Sequence, residues 1–452
     1  MPVRSRVGGE TGVLDLFAQS AIAALCVASP ATLPPRAEEQ PRNRTVVRAS
    51  KKRALERRTP GFVTVVELDD PRGARPRDGL AEVLARAPAT HVRSIGGLGQ
   101  FAAVSLRGSS PQQVGVFLDG VPVSSSMAGL VDVAELPLDG MSRVEIHRGW
   151  VPIAFGAGAI GGALNLVSTD AEDRPRGRID AGLGSWWTRQ VAGEIATKTK
   201  RVALGVRAGY AGTQGNYRYY DDGGTPRLTG DDRWQRRRSN GYDRVLAQLR
   251  IGGRVGKWRL GGHELVVAKR AGVPGPGSAQ ATATALDQLL ARTIVSARRE
   301  ELGGPGGRLE WIASVGAEAR RFADPRGELG VGVDDQRTVA VDLYLSPRWR
   351  TPLWRGAFLL LLADHRSEWI TVDQRIVRAD GSPSGDARRR RQAVGAGIEL
   401  EQFAWKDRLH VVPALRVDAV ASEFAVPAGG GEQEDRGRNR FDWSASPRVG
   451  AR

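Results

Sequence analysis

Cysteine is almost absent from this chain of 452 residues: Cys26 stands alone. One thiol closes no internal disulfide, so no disulfide framework organises the fold. Five histidines add no cluster with the spacing of metal ligands. Long apolar runs are missing too. Mean hydropathy is −0.31, and the apolar stretch from Leu14 to Val27 is too short to cross a bilayer as a helix. A bundle of membrane helices is thereby excluded. A membrane β-barrel is not, because its lumen-facing residues are polar and alternate with lipid-facing ones. Acidic residues are outnumbered, 50 to 66, which leaves a net charge of +16. A basic excess can serve nucleic acid, but no zinc-finger spacing or RNP-type aromatic motif accompanies it. Arginine far outnumbers lysine, as codon usage in a GC-rich genome favours.

What the chain has in plenty is glycine, 57 residues, too many for a helical protein and suited to tight turns and barrel walls. The stretch that organises it runs from Leu106 to Ser168. It reads Leu106-Arg107-Gly108, then Val116-Phe117-Leu118-Asp119-Gly120-Val121-Pro122, then Val144-Glu145-Ile146-His147-Arg148-Gly149. It ends on Phe155-Gly156-Ala157-Gly158-Ala159-Ile160-Gly161-Gly162-Ala163-Leu164-Asn165-Leu166. Three apolar runs rich in Val and Ile alternate with glycine-bearing turns, the pattern of a small sheet domain. Asp119-Gly120 sits between extended segments as a type I′-capable pair. Gly156 to Gly161 also satisfies G-x-G-x-x-G, which in a dinucleotide site opens a helix and is followed by an acidic residue about 20 positions on. Val144 to Ile146 and Asp180 supply the strand and the acid, but the run from Ala163 to Thr169 is extended and no helix follows. These glycines are better explained as backbone packed closely against neighbouring walls.

The order and spacing of these runs resemble the plug domain of TonB-dependent outer-membrane receptors. The resemblance covers Phe62 to Thr169, and the motif positions it assigns here are Arg107, Gly108, Asp119, Gly120, Glu145, Arg148, Gly149, Gly156, Gly161, Gly162 and Asn165.

Residues 1–31 have the marks of an export signal: Arg4 and Arg6, the interrupted apolar core from Leu14 to Val27, and small residues at Ala28, Ser29 and Ala31. Residues 32–60 are rich in Pro, Arg and Glu and are expected to be disordered. Within them Thr45-Val46-Val47-Arg48-Ala49 is a short β-prone island that resembles a TonB box. Such a segment on a leash can add as an edge strand to a partner's sheet.

The plug, expected over 61–170, is a mixed α/β domain. Phe62 to Leu68, His91 to Ile95 and Val104 to Leu106 read as strands. Asp78 is the expected N-cap of a helix with Leu80, Val83, Leu84 and Ala87 on one face, terminated by Pro88. Gly96-Gly97-Leu98-Gly99 reads as a loop. His91 and His147 each stand alone in strands, as structural histidines do, and no catalytic constellation accompanies them.

Past Arg176 the pattern becomes long alternation. Val202, Leu204, Val206, Ala208 and Tyr210 oppose Ala203, Gly205, Arg207 and Gly209; Val339, Val341, Leu343 and Leu345 oppose Ala340, Asp342, Tyr344 and Ser346. Leu409, Val411, Leu415, Val417 and Ala419 oppose His410, Arg416 and Asp418. About twelve such runs can be counted, each offering the 9–11 residues that a tilted strand needs to cross a bilayer. Charges such as Arg207, Arg250, Glu310, Asp342, Glu399 and Asp418 fall on one face, as a watery lumen permits. Tight connections (Thr199-Lys200, Gly303 to Gly307, Lys406-Asp407) alternate with long polar ones (218–240, 272–287, 324–335, 373–388, 425–440). Trp186, Trp187, Trp349, Trp354, Trp369 and Trp405 fall near strand ends, where aromatic girdles form.

The fold expected is thus a mixed α/β plug followed, over 176–452, by an antiparallel transmembrane β-barrel that meets outer-membrane lipid. About twelve strands fall short of the 22 of plugged outer-membrane transporters. The barrel is therefore expected to be incomplete, as in the N-terminal portion of a longer receptor or a truncated product. The resemblance implies energised import of a scarce extracellular ligand into a Gram-negative cell, a metal chelate and foremost a ferric siderophore, with cobalamin, haem and sugars behind. The partners it implies are TonB and its inner-membrane energising complex. No covalent chemistry, catalytic residue, cofactor or resident metal is required. In the plug, Arg107 and Arg148 are expected to anchor to barrel carboxylates, with Glu399 and Glu401 as candidates. The competing readings are a passive porin or adhesin-type barrel, and a non-functional receptor fragment or soluble plug-like module.

Overall fold

The computed structural model describes residues 61–68, 79–94, 99, 101–123, 131–156, 158–169, 176–225, 227, 229–330, 332–376, 387–405, 408–425 and 438–452. The export signal, the segment with Thr45–Ala49, Asp78, residues 95–98 and Lys406-Asp407 lie outside them.

The plug runs β1 (Phe62–Glu67), α1 (Leu80–Ala85), β2 (Thr90–Ser94), β3 (Ala102–Leu106), β4 (Val114–Leu118), β5 (Val121–Pro122), β6 (Met141–Arg148) and β7 (Gly162–Ser168). Five of these strands form one mixed sheet in the order β1-β6-β7-β4-β5, with β4 and β7 parallel. The alternation of β6 explains why the sheet has two different faces. Val144 and Ile146 meet Val116, Leu118, Leu164 and Leu166, together with Leu80 and Leu84 of α1 and Leu106 of β3, in one buried core. Glu145 and His147 point to the other face, where Phe117, Val151 and Ala163 pack and the His147 ring lies 5.0 Å from that of Phe155. The expected helix forms on the expected face, but its N-cap is Gly79 in an extended conformation without a side-chain cap bond, not Asp78. The short helix is held by the burial of Leu80, Val83 and Leu84. Where a dinucleotide site would need a helix after Gly161, the chain enters β7.

The rest of the chain is an antiparallel sheet of twelve strands: β8 (Arg176–Gly184), β9 (Thr188–Lys198), β10 (Val202–Thr213), β13 (Tyr242–Val255), β14 (Trp258–Gly272), β15 (Ala285–Glu300), β16 (Arg308–Asp324), β17 (Asp334–Trp354), β18 (Ala357–Ile376), β19 (Ala387–Ala404), β20 (Leu409–Ala425) and β21 (Arg438–Ala451). Each pairs with its sequence neighbour, apart from a side hairpin of β11 (Arg218–Asp221) and β12 (Arg233–Arg236) carried between β10 and β13. Connections at one end are tight. Besides 199–201 and 301–307 they include Gly256-Lys257 and Arg355-Gly356, where Gly256 and Gly356 take φ of +57 and +76. At the other end the connections are long, except for 185–187 between β8 and β9.

One face of this sheet is apolar and exposed: Val202, Leu204 and Val206, Val339 to Leu345 at alternate positions, and Leu415 and Val417. The opposite face carries Arg207, Arg250, Glu310, Glu399 and Arg416, all buried. That inner face is not uniformly polar. Tyr242, Leu246, Leu265, Val267, Leu290, Ile294, Ile312 and Tyr344 line it as well, and all but Tyr242 join the plug core in a single hydrophobic cluster. Where the wall meets folded protein instead of water, apolar side chains are favoured, at about 1.5–3 kcal/mol for each fully buried Leu or Ile. Exposed tryptophans form two bands. Trp311, Trp349, Trp354 and Trp405 lie toward the tight-turn end, and Trp186, Trp187, Trp369 and Trp443 toward the other. No helix among the described residues is long and apolar enough to cross a membrane.

Leu84 has no exposed surface. Leu84→Ala should therefore lower plug stability by about 2–5 kcal/mol, read as lost exchange protection of the β4 and β7 amides. Leu183→Ala, 80% exposed on the outer face of β8, should leave those amides unchanged.

Candidate functional site: the plug and its clamps

Three of the motif residues distant in sequence, Gly120, Asn165 and Glu145, meet in one buried hydrogen-bond chain. Asp119 and Gly120 both take positive φ, +51 and +78, as the turn between β4 and β5 demands. The Gly120 N–H donates to Asn165 Oδ1 at 3.0 Å, and Asn165 Nδ2 donates to Glu145 Oε2 at 3.0 Å. Asp119 Oδ1 accepts from the Ser168 N–H at 2.8 Å. Burial alone would raise the Glu145 carboxyl, but His147, Asn165 and Arg143 beside it outweigh that and hold it below its ordinary range. The remaining glycines serve turns and close approach. Gly108, Gly149 and Gly156 take positive φ, and the Gly161 N–H donates to Gln113 O at 2.9 Å. At Gly162, φ +140, a Cβ would stand 2.5 Å from His147 O.

Three clamps join plug to wall, and the cations come mostly from the wall. The first grips Val131 to Gly140. Arg207 Nη2 donates to Asp139 Oδ1 at 2.7 Å, Arg244 Nη2 approaches Asp139 Oδ2 at 3.4 Å, and Gln248 and Arg250 donate to the carbonyls of Asp139 and Gly140 at 2.7 and 2.8 Å. Glu194 holds both Arg207 and Arg250, at 2.9 and 3.0 Å. Farther along, Arg320 and Gln288 donate to Glu135 Oε2, and the buried Lys269 lies 3.7 Å from Glu135 and 3.8 Å from Asp132. The second clamp sets His263 Nδ1 at 3.0 Å from Asp119 Oδ2 and Arg348 at 3.3 Å from Gly120 O. In the third, Arg416 donates to Ile153 O at 3.0 Å, and Arg448 donates to Val151 O and Gly156 O at 2.7 and 3.0 Å.

The expected direction of anchoring is therefore mostly reversed; of the two expected wall carboxylates Glu399 reaches the plug, at the backbone N–H of Ile153 and not at an arginine. Arg148 donates to Pro88 O at 2.7 Å and to Thr64 Oγ1, both within the plug. Arg107 lies over the Phe62 ring at 5.3 Å. Glu401 is paired with Arg350 of the wall at 2.6 Å, not with a plug arginine. A wall arginine can reach across the lumen and fork onto carbonyls. Arg148 sits on a strand whose neighbours already use it.

Removing one partner from such a buried contact costs about 3–5 kcal/mol, whereas the pair itself contributes little net stability. The clamps thus fix where the plug sits more than how strongly it is bound. Asp132 is the most perturbed plug carboxyl. Burial, and then the neighbouring Glu135 charge, push it up to about 7, against Lys269 and the N–H groups of Ala102 and Ala134 at 2.9 and 3.0 Å. The docked plug thus holds a proton that an unfolded carboxyl releases near pH 4. Its contribution is fully present below about 4 and is lost as pH rises through about 7. Exchange protection of the Ala102 and Ala134 amides, corrected for intrinsic rate, should fall between about pH 4 and 7, and Asp132→Asn should flatten that fall.

The TonB-dependent Receptor Plug Domain family matches residues 56–163. The vitamin B12 transporter BtuB of Photobacterium profundum is 36% identical over 117 residues, 26% of this chain and 19% of that protein. BtuB of Vibrio cholerae serotype O1 (strain ATCC 39315 / El Tor Inaba N16961) is 30% identical over 176 residues, 38% and 29% of the two chains. The chain thus spans less than a third of the length of these curated relatives. Among solved structures, the ferric yersiniabactin uptake receptor FyuA from Yersinia pestis aligns with a TM-score of 0.64 at 15% identity, over 87% of this chain and 61% of that one. The ferripyoverdine receptor of Pseudomonas aeruginosa aligns at 0.66 and 14%, over 87% and 55%. At such identities the likeness is one of fold, and the family is one of receptors and transporters, not enzymes. Residues 56–163 thus match the plug domain of TonB-dependent receptors, and the twelve-stranded antiparallel sheet around that plug shares the fold of the receptor structures with which it aligns.

Proposed function

We propose that this chain works in TonB-energised import of a scarce ligand across the outer membrane, with the long connections facing outside. The observation that carries the reading is the shared core. Apolar wall residues, among them Leu246, Leu265 and Ile312, are buried against the plug. A passive porin or adhesin barrel has no use for an apolar lumen wall, and a plug seated on one leaves only when work is done. Thr45 to Ala49, ahead of the plug, is the segment on which TonB and its inner-membrane complex would pull, by pairing with it as an added strand.

The ligand class proposed is an organic metal chelate, a ferric siderophore first. The fold neighbours named for ferric yersiniabactin, ferripyoverdine and ferric citrate favour it, and the BtuB relatives keep vitamin B12 as the second choice. The side hairpin suits an anionic, ring-bearing chelate. Tyr220 and Trp234 are exposed with ring centroids 5.6 Å apart, and Arg218 lies 5.7 Å from the Trp234 ring.

Orientation is tested with single cysteines. Ala279→Cys, in the long connection after β14, should react with an impermeant maleimide on intact cells. Lys257→Cys, in the tight turn before β14, should react only after permeabilisation. The reverse pattern would invert the topology. Energisation is tested by uptake of labelled ferric siderophores and labelled vitamin B12. Val47→Pro, which removes a donor and fixes φ, should abolish uptake while surface binding survives. Arg48→Ala should be far milder, since an exposed charge contributes little. Uptake that persists in Val47→Pro would rule out backbone pairing at this segment.

A further inference from the structure

We propose that Arg337, Arg388 and Arg390, with Arg375 beside them, form a lipid-facing site for a phosphorylated headgroup in the outer leaflet. The leaflet assignment rests on the orientation proposed above.

The argument begins with a line of register partners near the long-loop end of the sheet. Across neighbouring strands it reads Arg189, Gly212, Asp243, Arg270, Asp287, Arg321, Arg337 and Asp373. All stand on the outer, lipid-facing parity of their strands. Along most of this rim, each arginine has a carboxylate: Arg189 with Asp243 at 3.5 Å, Arg270 with Asp287 at 3.5 Å, Arg321 with Asp335 at 2.8 Å.

At β17 to β19 that compensation stops. Arg337, Arg388 and Arg390 are exposed and have no ion pair among the described residues. Arg388 is the register partner of Thr371, and Arg390 that of Trp369, so they sit one strand away from the Asp373 that faces Arg337. Arg375 lies 3.9 Å from Asp373, and Glu423 faces Arg390 from β20. Asp335, shared by Arg321 and its register partner Arg375, stands on the same face, so that among the described residues five guanidiniums face three carboxylates. A same-face repeat of about 7 Å sets Arg388 and Arg390 within about one Debye length of each other, and two strand spacings of about 4.8 Å place Arg337 about 12 Å from Arg388 at the backbone, a gap that long arginine side chains narrow. Such a cluster repels itself until an anion with several oxygens enters, and guanidinium forks match phosphate best.

What lies beneath the cluster identifies the anion as a lipid's. Trp369, 38% exposed, sits at the level of an interfacial girdle. Just below it, on the same outward face and amid Leu343, Leu345 and Val394, Ser367 Oγ donates to Gln392 Oε1 at 2.5 Å and His365 Nε2 lies 3.0 Å from the same oxygen. These polar groups already meet one another, so they ask nothing of a ligand. What favours a lipid is the place of the arginines, above Trp369 and the apolar outer face of Leu343, Leu345 and Val394, where acyl chains lie against the wall below a headgroup. A free phosphate gains nothing from that face.

The test uses protein extracted from outer membranes and reconstituted in phosphatidylcholine bilayers. Brominated phosphatidic acid is compared with brominated phosphatidylcholine as a quencher, and the Trp369 signal is the difference between wild type and Trp369→Phe. Phosphatidic acid should be preferred at Trp369 by about fivefold or more. The triple variant Arg337→Gln/Arg388→Gln/Arg390→Gln should lose that preference, whereas Arg270→Gln on the same rim should keep it. Inorganic phosphate at millimolar concentration should not compete; competition would overturn the lipid source. Equal quenching by both lipids in wild type, or a preference unchanged in the triple variant, would overturn the site. A retained preference combined with inverted maleimide labelling would overturn the leaflet, and with it the proposed orientation, but not the lipid contact.

Discussion

A domain inside a barrel must be held by contacts that fix its position yet can be released. Here the wall reaches inward with guanidinium groups that end on carbonyls and carboxylates of the plug, at Asp139, Gly140, Ile153, Val151 and Gly156. Breaking one such contact is costly while both partners stay buried, and cheap once water reaches both. Apolar contact resists displacement more evenly, since its free energy follows area and not geometry. The wall uses both. Leu246 and Leu265 hold the plug core by burial, and Arg207, Arg250 and Arg416 set its register.

The clamps are themselves prepared. Glu194 accepts from Arg207 and Arg250 at once, and Asp364 and Asp418 flank Arg416 at 2.8 and 2.7 Å. A guanidinium already paired on its own wall does not become an orphan charge when the plug moves. That limits the cost of release to the plug's side of the contact.

Much of this was legible in the sequence, for identifiable reasons. Period-two alternation places Arg207, Glu399 and Asp418 on the inner face without further information, and the twelve strands follow from the same signal. The Asp119-Gly120 turn and the β6 run were local enough to read. Pairing across long separations was not. Nothing in the spacing of Asp139 and Arg207, or of Ile153 and Arg416, says that they meet, because side-chain direction in the lumen depends on strand register and tilt. The inward Leu and Ile positions of β13 to β16 read as ordinary strand residues until the plug was seen to cover them. Arg148 misled for a similar reason: its partners are Thr64, on the neighbouring strand β1, and Pro88, in the turn between α1 and β2, and the sequence does not state that either meets it.

The central claim is that transport requires the clamped plug to leave the wall. It is tested most directly by tethering the two. Glu135→Cys and Arg320→Cys, on opposite sides of a 3.0 Å contact, can be joined by a reducible bifunctional thiol reagent in intact cells. The account predicts that tethered cells bind labelled ligand at the surface but stop taking it up, and that reduction restores uptake. Uptake that continues at the same rate while the tether is intact would contradict it.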